Sequence, residues 1–157
     1  MLFRSTANRA GIAITHLDTH MLTLLRSPAF LSTYVELGRR YTLPILTLPE
    51  LTPARDELPP SSRLVDTVCE ADPSLSAGSW RNGYERMLAK LPAGVHQLTV
   101  HLGFDDDEMR AASFDHPNWG AAWRRRDLDL VSSETFRRFL ADEGFVLVSW
   151  RDLARVA

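Results

Sequence analysis

The sequence predicts an α/β fold with a mostly parallel sheet. Three observations carry that expectation. Short apolar runs of strand length alternate with amphipathic helical segments along the chain. The first trio, an apolar run at 12–17, a helical segment at 28–40 and a proline-bounded run at 44–49, has the spacing of a βαβ unit, whose crossover is right-handed. Finally, only about four strand-like runs occur, so the sheet would have two open edges and reads as part of a larger barrel or sheet.

Composition narrows the class. A chain of 157 residues is expected to form one domain, 1–157, and 45% hydrophobic residues are enough for a sizeable core. Charged residues make up 24% and the net charge is −2, which gives no basic excess for nucleic acid. Cys69 is the only cysteine, so no internal disulfide forms, and an unpaired thiol fits a reducing compartment. With no base nearby in sequence, Cys69 reads as partly buried apolar filler. No apolar run approaches the roughly 20 residues that span a bilayer, and residues 1–5 lack the apolar centre of a signal peptide. The expected location is the cytoplasm, without nucleic-acid or membrane partners.

Each element has a local cause. Residues 3–10 read as the tail of a helix stopping at Gly11. Ser27 and Pro28 mark the start of the helix at 28–40, with Phe30, Leu31, Tyr34, Val35 and Leu37 on its apolar side and Arg39 and Arg40 in its last turn. Residues 49–62 are a polar, proline-rich loop, and a short strand or helix is expected near 64–69. A helix at 79–91 ends at the breaker Leu91-Pro92-Ala93-Gly94, and the strand 95–101 follows, stopping at Leu102-Gly103. Asp105 to Glu108 open a short helix, 114–120 is an irregular loop, and a helix covers 121–130. Ser132 or Ser133 caps a helix at 134–143 that ends at Gly144. Residues 145–148 are the last strand, and a turn of helix closes the chain from Trp150.

The chemistry concentrates at Thr15-His16-Leu17-Asp18-Thr19-His20. If the backbone stays extended, His16, Asp18 and His20 share one face with Ile12 and Ile14. Two imidazoles and a carboxylate at a strand end are ligands of the kind a metal-dependent hydrolase uses. His101 ends a separate strand, where it can act as general acid. His96 is expected to face solvent and His116 to lie in a loop. Loop aromatics (Trp80, Phe114, Trp119) can stack on a sugar ring or cover the core. Arg124 and Asp127, three apart on a helix, are expected to pair weakly. The run Arg124 to Arg126 reads as a solvated helix face answered by Asp127 and Asp129. Against the catalytic reading stand ordinary strand-end capping for the 15–20 stretch and a satisfied strand-end histidine for His101.

The pattern resembles the YdjC-type carbohydrate deacetylases. Thr15-His16-Leu17-Asp18-Thr19-His20 is similar to that family's Thr-His-(Ile/Leu)-Asp-Ser-His motif. Tyr41-Thr42-Leu43-Pro44 is similar to its Tyr-Gly-Ile-Pro step. The run from Leu91-Pro92-Ala93-Gly94 to His101-Leu102-Gly103 is similar to its Leu-Pro-x-Gly…His-Pro-Gly strand, and Arg124-x-x-Asp127-Leu128 through Trp150-Arg151-Asp152-Leu153 to its C-terminal signature. The resemblance implies a partial (β/α) barrel-like fold of the glycoside hydrolase/deacetylase type. It implies hydrolysis of N-acetyl groups on amino-sugar oligosaccharides with a divalent metal, Mg²⁺ or Zn²⁺. On that reading His20 and His16 are metal residues, Asp18 and His101 catalytic, and Trp119, Arg124 and Phe114 substrate-binding. Thr19 replaces the family's Ser and keeps the hydroxyl, Leu22 stands where many members have His, and Leu102 replaces Pro. The family's Asp-Asp and Gly-Leu-His-Leu segments are not in this sequence, which resembles the C-terminal half to two-thirds of such an enzyme. Weak or no activity alone is therefore expected. Two other readings remain: a non-catalytic module that assembles with itself or another chain through open sheet edges, and a sugar-binding α/β protein using Trp119 and Phe114.

Overall fold

The computed structural model describes residues 6–7, 9–48, 57–59, 62 and 65–155. Its helices are α1 (Pro28–Tyr41), α2 (Trp80–Leu88), α3 (Asp107–Ala112), α4 (Ala121–Ser132), α5 (Glu134–Asp142) and α6 (Trp150–Arg155). Its strands are β1 (Thr67–Cys69) and β2 (His96–Leu98). Helices dominate, and the two strands pair in parallel in the register Thr67–His96, Val68–Gln97 and Cys69–Leu98. The chain divides into two compact units, residues 1–66 with 147–157, and residues 67–146.

The first unit is built on α1. Pro28 occupies its first turn, where a missing N–H costs nothing, and Arg39 and Arg40 close it. Ser27 sits at the N-cap with an extended backbone, but its side chain makes no capping bond. Only Tyr34, Val35 and Gly38 of α1 are buried, while Phe30 and Leu37 are exposed, so the apolar stripe is narrower than the sequence pattern. Tyr34, Val35, Leu25, Ile45 and Leu58 form the core of this unit. Gly38 is required by packing: a Cβ there would lie 2.7 Å from both Ile45 Cγ2 and Pro59 Cγ.

The expected strand at 12–17 is reduced to a single parallel bridge between Leu17 and Ile45. Leu17 N–H donates to Pro44 O (2.9 Å) and Leu46 N–H to Leu17 O (3.1 Å). The Tyr34 hydroxyl stitches this bridge, donating to Leu17 O at 2.7 Å and accepting from Leu46 N–H at 3.1 Å. Of the expected loop at 49–62, residues 49–56, 60 and 61 lie outside the described residues.

The second unit packs helices against β1 and β2. Trp80, Tyr84 and Leu88 recur every four residues and give α2 one buried side. They meet Trp123 and Leu130 of α4 and Phe136 of α5. The rings pack edge to face, Trp80 at 5.9 Å from both Tyr84 and Trp123, and Tyr84 at 6.2 Å from Phe136. Such pairs add about 0.5–1.5 kcal/mol each beyond the area they bury. Asp106 caps α3 by accepting from Met109 N–H, and Ser133 caps α5 by accepting from Phe136 N–H. Cys69 is buried, and burial pushes its thiol pKa up, as filler requires.

Among the described residues there are two strands rather than four. Residues 145–148 form none: Val146, Leu147 and Val148 are 81%, 78% and 53% exposed. An apolar run becomes a strand only when a neighbour supplies ladder hydrogen bonds, and no described segment pairs with this one.

Candidate functional site

The 15–20 stretch belongs to the first unit. Its backbone is held at Leu17, between His16 and Asp18, by the bridge to Ile45 and the Tyr34 hydroxyl. Burial pushes the Tyr34 phenol pKa far above its ordinary value, so this clasp stays protonated. His16 is half-buried. Its Nδ1 lies 3.0 Å from Thr15 Oγ1 and its ring stacks on Trp150 at 4.7 Å. Desolvation lowers its pKa, and the nearby Asp18 opposes that fall.

Asp18 is exposed and accepts from the Thr19 N–H at 2.6 Å. Thr19 is buried, and its hydroxyl accepts from Leu24 N–H at 2.8 Å. That bond gives a reason for a hydroxyl at this position, since it ties Thr19 to the far end of the turn that follows. The extended backbone ends there. His20 opens a short 3₁₀ segment, His20–Leu25, so the alternation that would place it beside His16 and Asp18 does not continue to it. Met21 and Leu22, both at φ +55°, hold left-handed conformations that cost on the order of 1–3 kcal/mol each. His20 is exposed. Among the described residues, no three or more His, Cys, Asp or Glu side chains gather closely enough to hold a metal ion. The described residues alone therefore do not complete a metal centre.

His101 belongs to the second unit and lies just past the C-terminal end of β2, on the side of a parallel sheet where α/β proteins bind ligands. Asp127 fixes its backbone. This carboxylate is wholly buried, with Oδ2 accepting from His101 N–H at 2.9 Å. Its Oδ1 accepts from Tyr84 Oη–H at 2.7 Å and from Trp80 Nε1–H at 3.1 Å. Burial, then the bond to Asp127, pushes the Tyr84 phenol pKa well above its normal value. Around the imidazole stand Trp123 at 4.8 Å and Trp119 at 6.0 Å, with Glu70 Oε1 3.5 Å from His101 Nδ1. Gly103 follows because α4 crosses there: a Cβ would lie 3.2 Å from Arg124 Cβ and 3.1 Å from Met109 Cε.

Several expectations change. Arg124 does not pair with Asp127; its Nε donates to Trp119 O at 3.1 Å. The arginine run is not one solvated face. Arg125 pairs with Asp129 at 2.8 Å, whereas Arg126 donates to Leu75 O and lies over the Trp80 ring at 4.9 Å. His96 is half-buried rather than solvent-facing, with Nε2 2.8 Å from Pro92 O. Trp80 is core. Trp119 lies 6.0 Å from His101 and Arg124 bonds the Trp119 carbonyl, while the 82%-exposed Phe114 lines an open depression of about 330 Å³ with Asp105 and Arg110. The sequence reading gives Glu70 no role and makes Asp127 only a weak helix-surface partner of Arg124 and a part of the C-terminal signature. A signal for Asp127 existed: it falls four residues after Trp123 and three before Leu130, in the apolar stripe of α4.

The model of the YdjC-like protein family matches residues 5–142. The chain belongs to the YdjC-like family. A similar solved structure comes from Enterococcus faecalis V583, a protein provisionally named for cellobiose-phosphate cleavage. It shares 18% sequence identity at a TM-score of 0.66, covering 92% of this chain and 55% of its own. This chain thus spans about half of that relative's length, and the likeness is one of fold. No curated protein matches the chain. No helix among the described residues is long and apolar enough to cross a membrane.

Proposed function

We propose that this chain is a carbohydrate deacetylase-like protein acting on N-acetyl groups of amino-sugar oligosaccharides in the cytoplasm, with a partial (β/α) barrel as its architecture. The observation that carries the reading is His101 at the end of a parallel strand, its backbone anchored on a buried carboxylate and its ring among tryptophans. In the reaction, water adds to the acetyl carbonyl and the C–N bond breaks. His101 gives its proton to the departing amine nitrogen, the protons shed by the attacking water pass to solvent and reprotonate His101, and acetate leaves. Asp18 supports His16, whose desolvation its charge opposes, and Trp119, Arg124 and Phe114 meet the sugar. Metal dependence, with Mg²⁺ or Zn²⁺ on His20 and His16, belongs to the same reading. It is tested in the same assay, because the described residues gather no complete ligand set.

The assay is acetate release from an N-acetylated chito-oligosaccharide with Mg²⁺, Zn²⁺ or no metal added. The expected outcome is slow turnover lost in His101→Ala and in His20→Ala. Turnover indifferent to both changes sinks the reading. The exposed apolar run 146–148 favours a second reading, a module that pairs through a strand edge with another copy of itself. A concentration-dependent mass in sedimentation, abolished by Val146→Lys, supports it, and a monodisperse monomer removes it.

A further inference from the structure

We propose that Glu70 is a positioning residue for His101, its carboxylate accepting a hydrogen bond from Nδ1–H so that Nε2 is the nitrogen that exchanges a proton with the reacting group. The inference rests on the reading of His101 as the acid. Glu70 directly follows β1, and Thr99 N–H donates to Cys69 O at 2.8 Å, which carries the pairing of the two strands one step towards Glu70 and His101. Glu70 Oε1 and His101 Nδ1 are 3.5 Å apart, an ion-pair distance without the alignment of a formed hydrogen bond.

Nδ1 itself is buried and has no hydrogen-bond partner among the described residues, although the side chain is 30% exposed, so the ring's exposure lies on its other atoms. A buried ring nitrogen without a partner is costly, and such contacts shorten when a ligand closes the site. The other charged neighbours are committed elsewhere. Asp127 serves Trp80, Tyr84 and the His101 backbone, and the Arg124 guanidinium bonds Trp119 O. Trp123 and Trp119 flank the ring. A carboxylate at one imidazole nitrogen fixes the tautomer and the direction of the other, as in triad hydrolases.

The test is a two-dimensional ¹⁵N spectrum of the imidazole nitrogens in the 157-residue chain and in its Glu70→Ala variant, at a pH where His101 is neutral. The expected result is the Nδ1–H tautomer in the native chain and a shift towards Nε2–H in the variant, with an unchanged unfolding midpoint. The same tautomer in both proteins overturns the proposal. In acetate release, kcat is expected to fall about 10- to 100-fold in Glu70→Ala with KM unchanged, a part of the 10²–10⁴ that a positioned acid contributes. Glu70→Asp should restore part of it. A rise in KM alone counts against positioning. The spectrum separates the two claims. If the tautomer moves while neither protein releases acetate, the function above fails and the Glu70 contact stands.

Discussion

The two histidine regions are supported in opposite ways. In the 15–20 stretch the motif residues are exposed or half-buried, and the fold grips the residues between them: Leu17 through Ile45 and Tyr34, Thr19 through Leu24. Around His101 the fold grips the functional residue itself, through a buried carboxylate that also binds two core side chains. The first region presents ligand-type side chains without a completed centre. The second fixes the backbone of one histidine before any ligand arrives. Motif density and preorganisation are thus different properties, and here they lie in different units.

The largest effect should come from Asp127→Ala. It leaves the Trp80 indole, the Tyr84 hydroxyl and the His101 amide without their acceptor, and a buried donor left unpaired costs about 1–3 kcal/mol. A loss of about 3 kcal/mol or more is expected in urea unfolding, with acetate release lost as well. A variant of native stability would mean that the network around His101 is not a support. Gly38→Ala should follow, at about 1–3 kcal/mol, because the new methyl meets Ile45 and Pro59 at 2.7 Å. Tyr34→Phe should cost about 0.5–1.5 kcal/mol, because it removes the hydroxyl's bonds to Leu17 O and Leu46 N–H while those two groups stay bonded to each other. Both changes loosen the 15–20 stretch from behind, and both are read by thermal unfolding. By contrast, His20→Ala should change stability by no more than about 0.5 kcal/mol, since its side chain is exposed.

How much of this was legible in the sequence follows from the range of each interaction. Helices α1, α2, α4 and α5 could be read because their causes are local: Pro28 at a start, Ser133 at a cap, apolar residues three and four apart. Strands were less legible because a ladder is made with a distant neighbour. Residues 95–101 found one at β1, while 12–16 and 145–148 found none among the described residues. His101 was legible from its place after a strand and before Leu102-Gly103. Its support was not. Asp127 looks like a surface partner for Arg124 until the packing of α2 against α4 brings Trp80 and Tyr84 to it. Glu70 is 31 positions away from His101, and only parallel pairing makes them neighbours.

The smallest effect concerns α6, which carries the Trp150 stacked on His16. Ser149 and Asp152 cap this helix reciprocally, with Ser149 Oγ–H and N–H donating to Asp152 and Asp152 N–H donating back. These bonds hold the Asp152 pKa below its usual value. A carboxyl depressed in the folded state contributes stability above its unfolded pKa of about 3.9 and loses it as pH falls through the lower folded value. Acidification should therefore loosen the Trp150 contact with His16, and Asp152→Asn should remove that step. The Trp150 indole resonance across pH 2–6 checks it.

Site-resolved amide hydrogen exchange tests the difference between the two regions most directly. The His101 amide, bonded to the buried Asp127, should exchange only with unfolding of residues 67–146. The His20 and Met21 amides, which donate to no acceptor among the described residues, should exchange with little protection. Equal, fast exchange at His101 and His20 would contradict a preorganised His101.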